Sequence, residues 1–548
     1  MKKRAWMCAG LCIMSGSVWA APPEVSPEWS AYQVGQNQLR QMEDMQRYME
    51  EQVQQRDDYL LHSPLKINEI EMESSDDEKT FPVSEIVCSP SDILTADEIR
   101  ACIGTVSPEM SLKKLYAIIG RINALYQEKG YVASQAVLPP QKLENGRVQI
   151  YLVEGRYGKI IIRNMDYMDP EYIESILDIS RGELVQSEKL NDALQKFNFS
   201  HSVYLEATLI AGTDLGLTDC IITVTEPPLW QTTLFADTMG SKSTGRYRTG
   251  LQIFNSNLAG HGETLYISPT WSEGTFSGMI SFDTPLGYSD THLNLMYSEN
   301  EANIINGTFA PLDVTSKSRS WSAGLTVPAW QGRNSAAEWI VSYTDKTSVT
   351  EYARARVSDN DTNVWYGGLR LREYRPGAYW NGQIGVSHAD GSYRLSGDKE
   401  TATYYTASGM YQWYLSGGQT VAVKGSVQYS QDHTLPSSEL MSAGGMYTVR
   451  GFEEGAASGS RGFVLNLEYE RPLDGANRWR GLAFFDYGRL FNKYSGVSVV
   501  QALSSVGLGL TYRGNDFLGK VIVGVPLEDE GILNANSALV HAYIQKQF

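Results

Sequence analysis

The second half of the chain alternates apolar and polar residues with a period of two. The clearest stretch, residues 504–513, reads Ser-Ser-Val-Gly-Leu-Gly-Leu-Thr-Tyr-Arg. This period places successive side chains on opposite faces of a β-strand. Such segments, each about ten residues long as a membrane-crossing strand requires, occur near residues 230, 246, 262, 275, 291, 318, 336, 363, 380, 402, 419, 461, 480, 504, 517 and 538. Because an even number of antiparallel strands closes a barrel, residues 228–548 are predicted to form a sixteen-stranded antiparallel transmembrane β-barrel with a polar lumen.

Residues 81–227 mix helical and strand periods in two successive units. In residues 81–155 the pattern predicts a strand, a helix capped by Thr95, a longer helix capped by Ser111, and two more strands. The longer helix carries an apolar face at Leu112, Leu115, Ile118, Ile119, Ile122 and Leu125. Residues 156–227 repeat this order, with helices opening at Asp169-Pro170 and at Ser187. The sequence therefore predicts a mixed fold, in which two small α+β domains precede the barrel.

The first 80 residues divide into three segments. Residues 1–20 join a basic start, an apolar run and a Val-Trp-Ala site, which is typical of a signal peptide cut after Ala20. Residues 21–61 predict a helix that opens at Ser26-Pro27 and is polar nearly all round, so it either stands in water, mediates oligomerisation or sits in a polar cavity. Residues 62–80 predict a flexible acidic linker. No later apolar run reaches the ~20 residues of a spanning helix, so an exported chain without a helical anchor is expected.

Composition narrows the possible functions. The chain has 548 residues, 42% of them hydrophobic, so several domains are expected, and its net charge of -17 disfavours nucleic acid as a partner. The seven histidines are scattered without metal-ligand spacing, and no phosphate-binding Gly-Lys-Ser/Thr loop occurs. We therefore expect no enzyme activity, no cofactor and no metal. After the signal peptide, Cys88 and Cys102 are candidates for a disulfide in an oxidising compartment, and Cys220 is expected to be a buried free thiol.

The longest interruption of the strand pattern, residues 432–460, contains Val449, Arg450, Gly451 and Phe452. By itself this motif is compatible with a solvated turn. It is followed by Gly459-Ser-Arg-Gly and by Asn-Leu-Glu-Tyr-Glu-Arg-Pro-Leu over residues 466–473, and then by Gly-Leu-Ala-Phe-Phe-Asp-Tyr-Gly over residues 481–488. By the strand count, the loop joins the eleventh and twelfth strands and Asp486 lies in the thirteenth.

Together these blocks resemble the Omp85 superfamily, and specifically the two-partner-secretion transporters of the haemolysin and filamentous-haemagglutinin type. The resemblance implies that the α+β units are POTRA domains, that the N-terminal helix is a plug inside the barrel, and that Arg450 meets Asp486 inside the barrel. It extends to the strand motif, in which Gly481, Phe485 and Gly488 accompany Asp486. The C-terminal Phe548 matches the usual signal for outer-membrane barrel assembly, although Lys546 breaks its apolar register.

The function that this resemblance implies is translocation, with or without activation, of a large β-helical exoprotein across the bacterial outer membrane. The client would be a haemolysin, an adhesin or a contact-dependent-inhibition toxin, received by POTRA domains in the periplasm. Outer-membrane lipids and the barrel assembly machinery are the other expected partners. Two alternatives remain open: an insertase for other barrels, whose members usually carry more POTRA repeats and lack the helix, and a passive porin.

Overall fold

The computed structural model describes residues 65–67, 79–143, 145–307, 309–431, 434–494, 497–532 and 537–548. The predicted signal peptide and plug helix lie outside these ranges. Among the helices that the structure describes, none combines the length and apolarity needed to cross a membrane.

The first α+β domain forms where the sequence predicts it. Its elements are β2 (Thr80–Pro82), β3 (Glu85–Cys88), α1 (Ala96–Ile103), β4 (Glu109–Ser111), α2 (Leu112–Glu128), β5 (Gln135–Val137) and β6 (Arg147–Val153). The hydroxyl of Thr95 accepts a bond from the backbone N of Glu98 and thereby caps α1. Strands β3 and β5 flank β6 in one sheet, and the apolar face of α2 packs into the domain core at Leu115, Ile118 and Ile122.

The cysteine prediction for this domain is wrong in the structure. Cys88 and Cys102 are free thiols, as is the fully buried Cys220. Both half-buried thiols pack against the apolar core of the domain as small hydrophobic side chains. Burial raises the pKa of the Cys88 thiol, and the neighbouring Cys102 raises it further, so the two groups lie near each other without a covalent bond.

The second α+β domain repeats the order strand, helix, helix, strand, strand, without counterparts of β2 and β4. Its elements are β7 (Arg156–Arg163), α3 (Pro170–Leu177), α4 (Ser187–Ser200), β8 (Tyr204–Ala211) and β9 (Leu217–Thr225). Asp169 caps α3 by accepting a bond from the backbone N of Glu171, and Pro170 occupies the first turn. A further strand, β1 (Leu65–Ile67), pairs in parallel with β8. Three residues of the predicted flexible linker are therefore ordered on the edge of this sheet.

The remaining strands close into the predicted sixteen-stranded barrel. They are β10 (Trp230–Asp237), β11 (Arg248–Asn255), β12 (Thr264–Trp271), β13 (Thr275–Pro285), β14 (His292–Asn303), β15 (Val314–Gln331), β16 (Ser335–Tyr352), β17 (Ala355–Arg375), β18 (Ala378–Tyr393), β19 (Lys399–Leu415), β20 (Gln419–Ser430), β23 (Arg461–Pro472), β24 (Trp479–Tyr494), β25 (Val497–Arg513), β26 (Phe517–Glu530) and β27 (Leu539–Gln547). Neighbours are antiparallel, and β10 pairs with β27 from Thr233 opposite Gln547 to Asp237 opposite Tyr543. Several strands are longer than predicted, and β17 reaches 21 residues, twice the length needed to cross the bilayer core.

The two faces of the barrel wall differ as the alternation predicts. Trp321, Trp339 and Trp365 project outward from β15, β16 and β17, and each is more than half exposed. Inward positions of the same strands include the buried polar side chains of Ser316 and Thr362. An outer surface with exposed tryptophans suits a lipid environment, where aromatic residues concentrate near the membrane interfaces.

The second α+β domain docks on one end of the barrel. The backbone N of Asp169 donates to the carbonyl of Gly260 in the turn between β11 and β12, over 2.9 Å. Arg333, in the turn between β15 and β16, lies 2.6 Å from the carboxylate of Asp192 on α4. Because β10 leaves this domain and successive strands reverse direction, the connection between β20 and β23 lies at the opposite end. Within it, β21 (Met441–Ala443) and β22 (Ala457–Gly459) form a small antiparallel ribbon.

Candidate functional site: the loop and the inner wall

The loop between β20 and β23 folds back into the barrel. Its central residues, Val449 to Phe452, form what we name the tip segment, and all three of its non-glycine side chains are at most 3% exposed. Val449 and Phe452 pack in an apolar cluster with Val464, Leu490 and Leu503 of the wall. Burial of this apolar surface holds the tip segment against β23, β24 and β25.

Glycines allow the tip segment to come this close to the wall. Gly451 has a φ of +95°, a conformation that other L-residues adopt with strain, and a Cβ there would lie 3.0 Å from the carbonyl carbon of Gly524 on β26. A Cβ on Gly488 of β24 would lie 3.0 Å from a methyl group of Val449. The predicted motif positions Gly451 and Gly488 therefore leave space for the backbone of the loop and for its valine.

Arg450 forms a two-pronged ion pair with Asp486 on β24. Its Nε donates to Oδ2 over 2.7 Å and its Nη2 donates to Oδ1 over 2.6 Å. The backbone N of Arg450 also donates to Oδ2, over 3.0 Å. The side chains of the two residues are 3% and 0% exposed. A guanidinium fork that matches a carboxylate in this way fixes the orientation of the tip segment as well as its position.

Three wall residues that the sequence interpretation missed complete this contact. Glu468 on β23 lies 2.7 Å from Nη1 of Arg450 and 2.8 Å from Nζ of Lys424 on β20. Asn466 donates to Asp486 Oδ1 over 2.8 Å, and the ring of Phe484 lies 3.8 Å from the guanidinium carbon. The alternation of side chains along β23 and β24 could have identified these residues, because residues two positions apart on a strand share a face. Phe484 shares a face with Asp486, and Asn466 shares one with Glu468.

The same parity separates the other predicted strand residues from the site. Gly481 and Phe485 alternate with the buried Leu482, Phe484, Asp486 and Gly488, so they lie on the outward face of β24 and do not meet the loop. Phe484, and not Phe485, is the aromatic residue beneath Arg450. Phe548 is 69% exposed and is tied by its backbone N to the carbonyl of Thr232 over 2.8 Å; its role in assembly stays a prediction.

The chain matches known proteins over most of its length. Residues 216–512 match the family model described as haemolysin secretion/activation protein ShlB/FhaC/HecB, and residues 81–155 match the ShlB-type POTRA domain. The chain is 24% identical to the heme/hemopexin transporter protein HuxB of Haemophilus influenzae (strain 86-028NP) over 501 residues, covering 84% of this chain and 86% of HuxB. It is 24% identical to the outer membrane transporter CdiB of Dickeya dadantii (strain 3937) over 492 residues, covering 84% and 85%.

Solved structures share the fold. CdiB from Escherichia coli superposes with a TM-score of 0.66 at 19% identity, covering 96% of this chain and 99% of that one. BamA from Haemophilus ducreyi lacking POTRA domains 1–3 gives a TM-score of 0.50 at 14% identity, covering 85% and 100%. A barrel whose inner wall holds an arginine-bearing loop, preceded by POTRA domains, defines an outer-membrane transporter of the Omp85 type. The chain belongs to the haemolysin secretion/activation ShlB/FhaC/HecB family, and it is therefore an outer-membrane transporter of secreted exoproteins, with its POTRA domains in the periplasm.

Proposed function

We propose that this transporter receives one large, unfolded exoprotein on its POTRA domains and passes it outward through the barrel. The client class is a long β-helical haemolysin, adhesin or contact-dependent-inhibition toxin, exported with or without activation. Two relatives support this class, since one is described as a heme/hemopexin transporter and another is CdiB. Transport is expected to need no catalysis and no cofactor from the chain itself.

The observation that carries the proposal is the ion pair of Arg450 with Asp486. It holds the tip segment inside the lumen, in the space that an unfolded chain would cross, so we infer that this contact sets the position of the loop and hence the shape of the conduit. Removing Asp486 would leave the buried Arg450 with Glu468 as its remaining carboxylate, at a cost of at most about 3–5 kcal/mol, the value for a fully unpaired buried charge.

The POTRA sheets offer places where a client segment could pair. In the first domain, β3 and β5 are the edge strands of a three-stranded sheet, and an edge strand can add an extended peptide through main-chain hydrogen bonds. In the second domain, β8 is already paired with β1, and β7 forms the other edge. We propose that client recognition uses such an edge. The exposed outer tryptophans and the C-terminal Phe548 support contact with outer-membrane lipids and with the barrel assembly machinery.

The test is a quantitative comparison of culture-medium and outer-membrane proteomes with and without this gene. Loss of one very large secreted protein, with the membrane proteome intact, is the expected result. A broad fall in outer-membrane barrels would instead make the chain an insertase, whose fold it shares. If both the culture-medium and the outer-membrane proteomes stayed unchanged, a passive porin would be favoured. Complementation with the unaltered gene must restore the lost protein.

A further inference from the structure

The loop meets the barrel wall at a second place, through residues Leu435 to Leu440, which we name the base segment. Leu435 is 6% exposed and packs in a cluster with Val364, Ala389, Ala402 and Tyr404 of β17, β18 and β19. Pro436 covers Gly391 of β18, where a Cβ would lie 3.1 Å from the proline ring. This cluster is distinct from the one that surrounds Phe452 in the tip segment, so the two segments dock on different parts of the wall.

A buried carboxylate fixes the base segment. Glu439 is 5% exposed; its Oε1 accepts a bond from Lys346 Nζ on β16 over 2.8 Å, and its Oε2 accepts one from the Tyr404 hydroxyl over 2.6 Å. Ser438 Oγ also donates to Oε1, over 2.6 Å. Burial raises the pKa of Glu439, but the Lys346 ammonium and the hydrogen bonds from Ser438 and Tyr404 together leave this pKa below its ordinary value, so the carboxylate is ionised.

The backbone at both ends of the loop is held by one side chain of β20. The Nε2 of Gln428 donates to the carbonyl of Glu439 over 2.9 Å and to the carbonyl of Ser460 over 3.3 Å. Gln428 is itself 9% exposed. The start of the loop is therefore tied to its end and, through Glu439, to β16 and β19, strands that take no part in the Arg450 contact.

We propose that Glu439, with Lys346 and Tyr404, is a second and independent anchor of the loop, so that release of Arg450 frees the tip segment while the base segment stays docked. The loop would then pivot beyond Leu440, with the ribbon of β21 and β22 as its moving part. The loop thus has three positioning residues at its base, namely Lys346, Tyr404 and Glu439. Their importance for transport rests on the proposed function, whereas the docking itself can be measured without any client.

The experiment uses two cysteine reporters in the full-length transporter, expressed without its exoprotein. S437C reports on the base segment and T448C, at the residue that directly precedes the tip segment, reports on the tip. Both are labelled on intact cells with a membrane-impermeant maleimide. The transporter with only its natural cysteines gives the background. Lys346→Met releases the base segment, Asp486→Asn releases the tip segment, and Lys346→Arg keeps the cation. Lys317→Met is the matched control, since Lys317 pairs with Glu301 at an exposed site of β15.

Lys346→Met is expected to speed labelling of S437C roughly tenfold and that of T448C less than about twofold, because a buried carboxylate without its cation opens its segment locally. Asp486→Asn should show the reverse, while Lys346→Arg and Lys317→Met stay near the parent. Equal acceleration of both reporters by Asp486→Asn, or an unchanged rate at S437C in Lys346→Met, would overturn the proposal. Heat-modifiable mobility in gels checks barrel assembly, and Glu439→Gln replaces Lys346→Met if that variant does not assemble.

Discussion

The tip and base segments of the loop are both held by buried ion pairs, but they differ in chemistry. At the tip, the Arg450 guanidinium pairs with two carboxylates, its backbone N also donates to Asp486, and Gly451 and Gly524 allow the loop backbone to approach that of β26 closely. At the base, Glu439 meets a lysine whose side chain is 24% exposed, and Leu435 packs against apolar wall residues. The planar guanidinium of Arg450, buried from water, binds its carboxylate in one geometry. The ammonium of Lys346 acts as a point charge near water, so its contact with Glu439 tolerates displacement. We therefore expect the tip contact to be either fully formed or fully released, and the base contact to stay formed while the tip moves.

Removing the acid of the tip contact is expected to have the largest effect. Asp486→Ala leaves Arg450 buried with Glu468 as its remaining carboxylate, which destabilises the docked tip by at most about 3–5 kcal/mol, the cost of a fully unpaired buried charge. Secretion, loop protease sensitivity and single-channel conductance should all change. Asp529→Ala, which alters an exposed aspartate at the end of β26, should leave them near the parental values. No change in any of the three readouts for Asp486→Ala would remove the contact from the mechanism.

A methyl group on the tip glycine should have the next largest effect. Gly451→Ala introduces strain of roughly 1–2 kcal/mol from its left-handed backbone, and its Cβ would also press on Gly524. We expect faster maleimide labelling of T448C and little change at S437C. Gly475→Ala is the matched control, because nothing lies within 4 Å of a Cβ there. Equal labelling of T448C in the two variants would show that the close approach does not hold the tip.

Replacing the ring beneath the arginine should have the smallest effect. Phe484→Leu keeps an apolar side chain but removes the aromatic face 3.8 Å from the guanidinium, a contribution of about 0.5–2 kcal/mol. A modest rise in T448C labelling is expected. Phe485→Leu, on the outward face of the same strand, provides the control and should have no effect on this rate. If Phe485→Leu had the larger effect, the assignment of the two faces would be wrong.

The two loop contacts also differ in how far the sequence predicts them. Arg450 and Asp486 belong to recognisable motifs, and the period of two places Asp486 on one face of the thirteenth barrel strand, where the structure has it. The same parity could have selected Phe484 over Phe485. The partner of Glu439, by contrast, lies 93 positions away on β16, and the local pattern of neither segment indicates that barrel curvature brings them together.

Other features were missed for equally physical reasons. Strands such as β17 continue beyond the membrane with polar residues, so a search for membrane-length alternation underestimates them. Strand β1 has three residues and forms only because β8 offers an edge, which no periodicity in an acidic linker can indicate. The number of barrel strands was predictable because each strand must bury its polar groups on one side and expose apolar groups on the other.

The central claim is that the tip segment occupies the path of the client. It is tested most directly by labelling T448C while the exoprotein, fused at its C-terminus to a stably folded domain, is arrested in the barrel. We predict that labelling rises over the client-free state as the tip leaves the wall, with the same change absent for an exoprotein that lacks its POTRA-binding segment. A T448C rate that stays at the resting value during arrested transport would contradict the account, because the client would then cross without moving the loop.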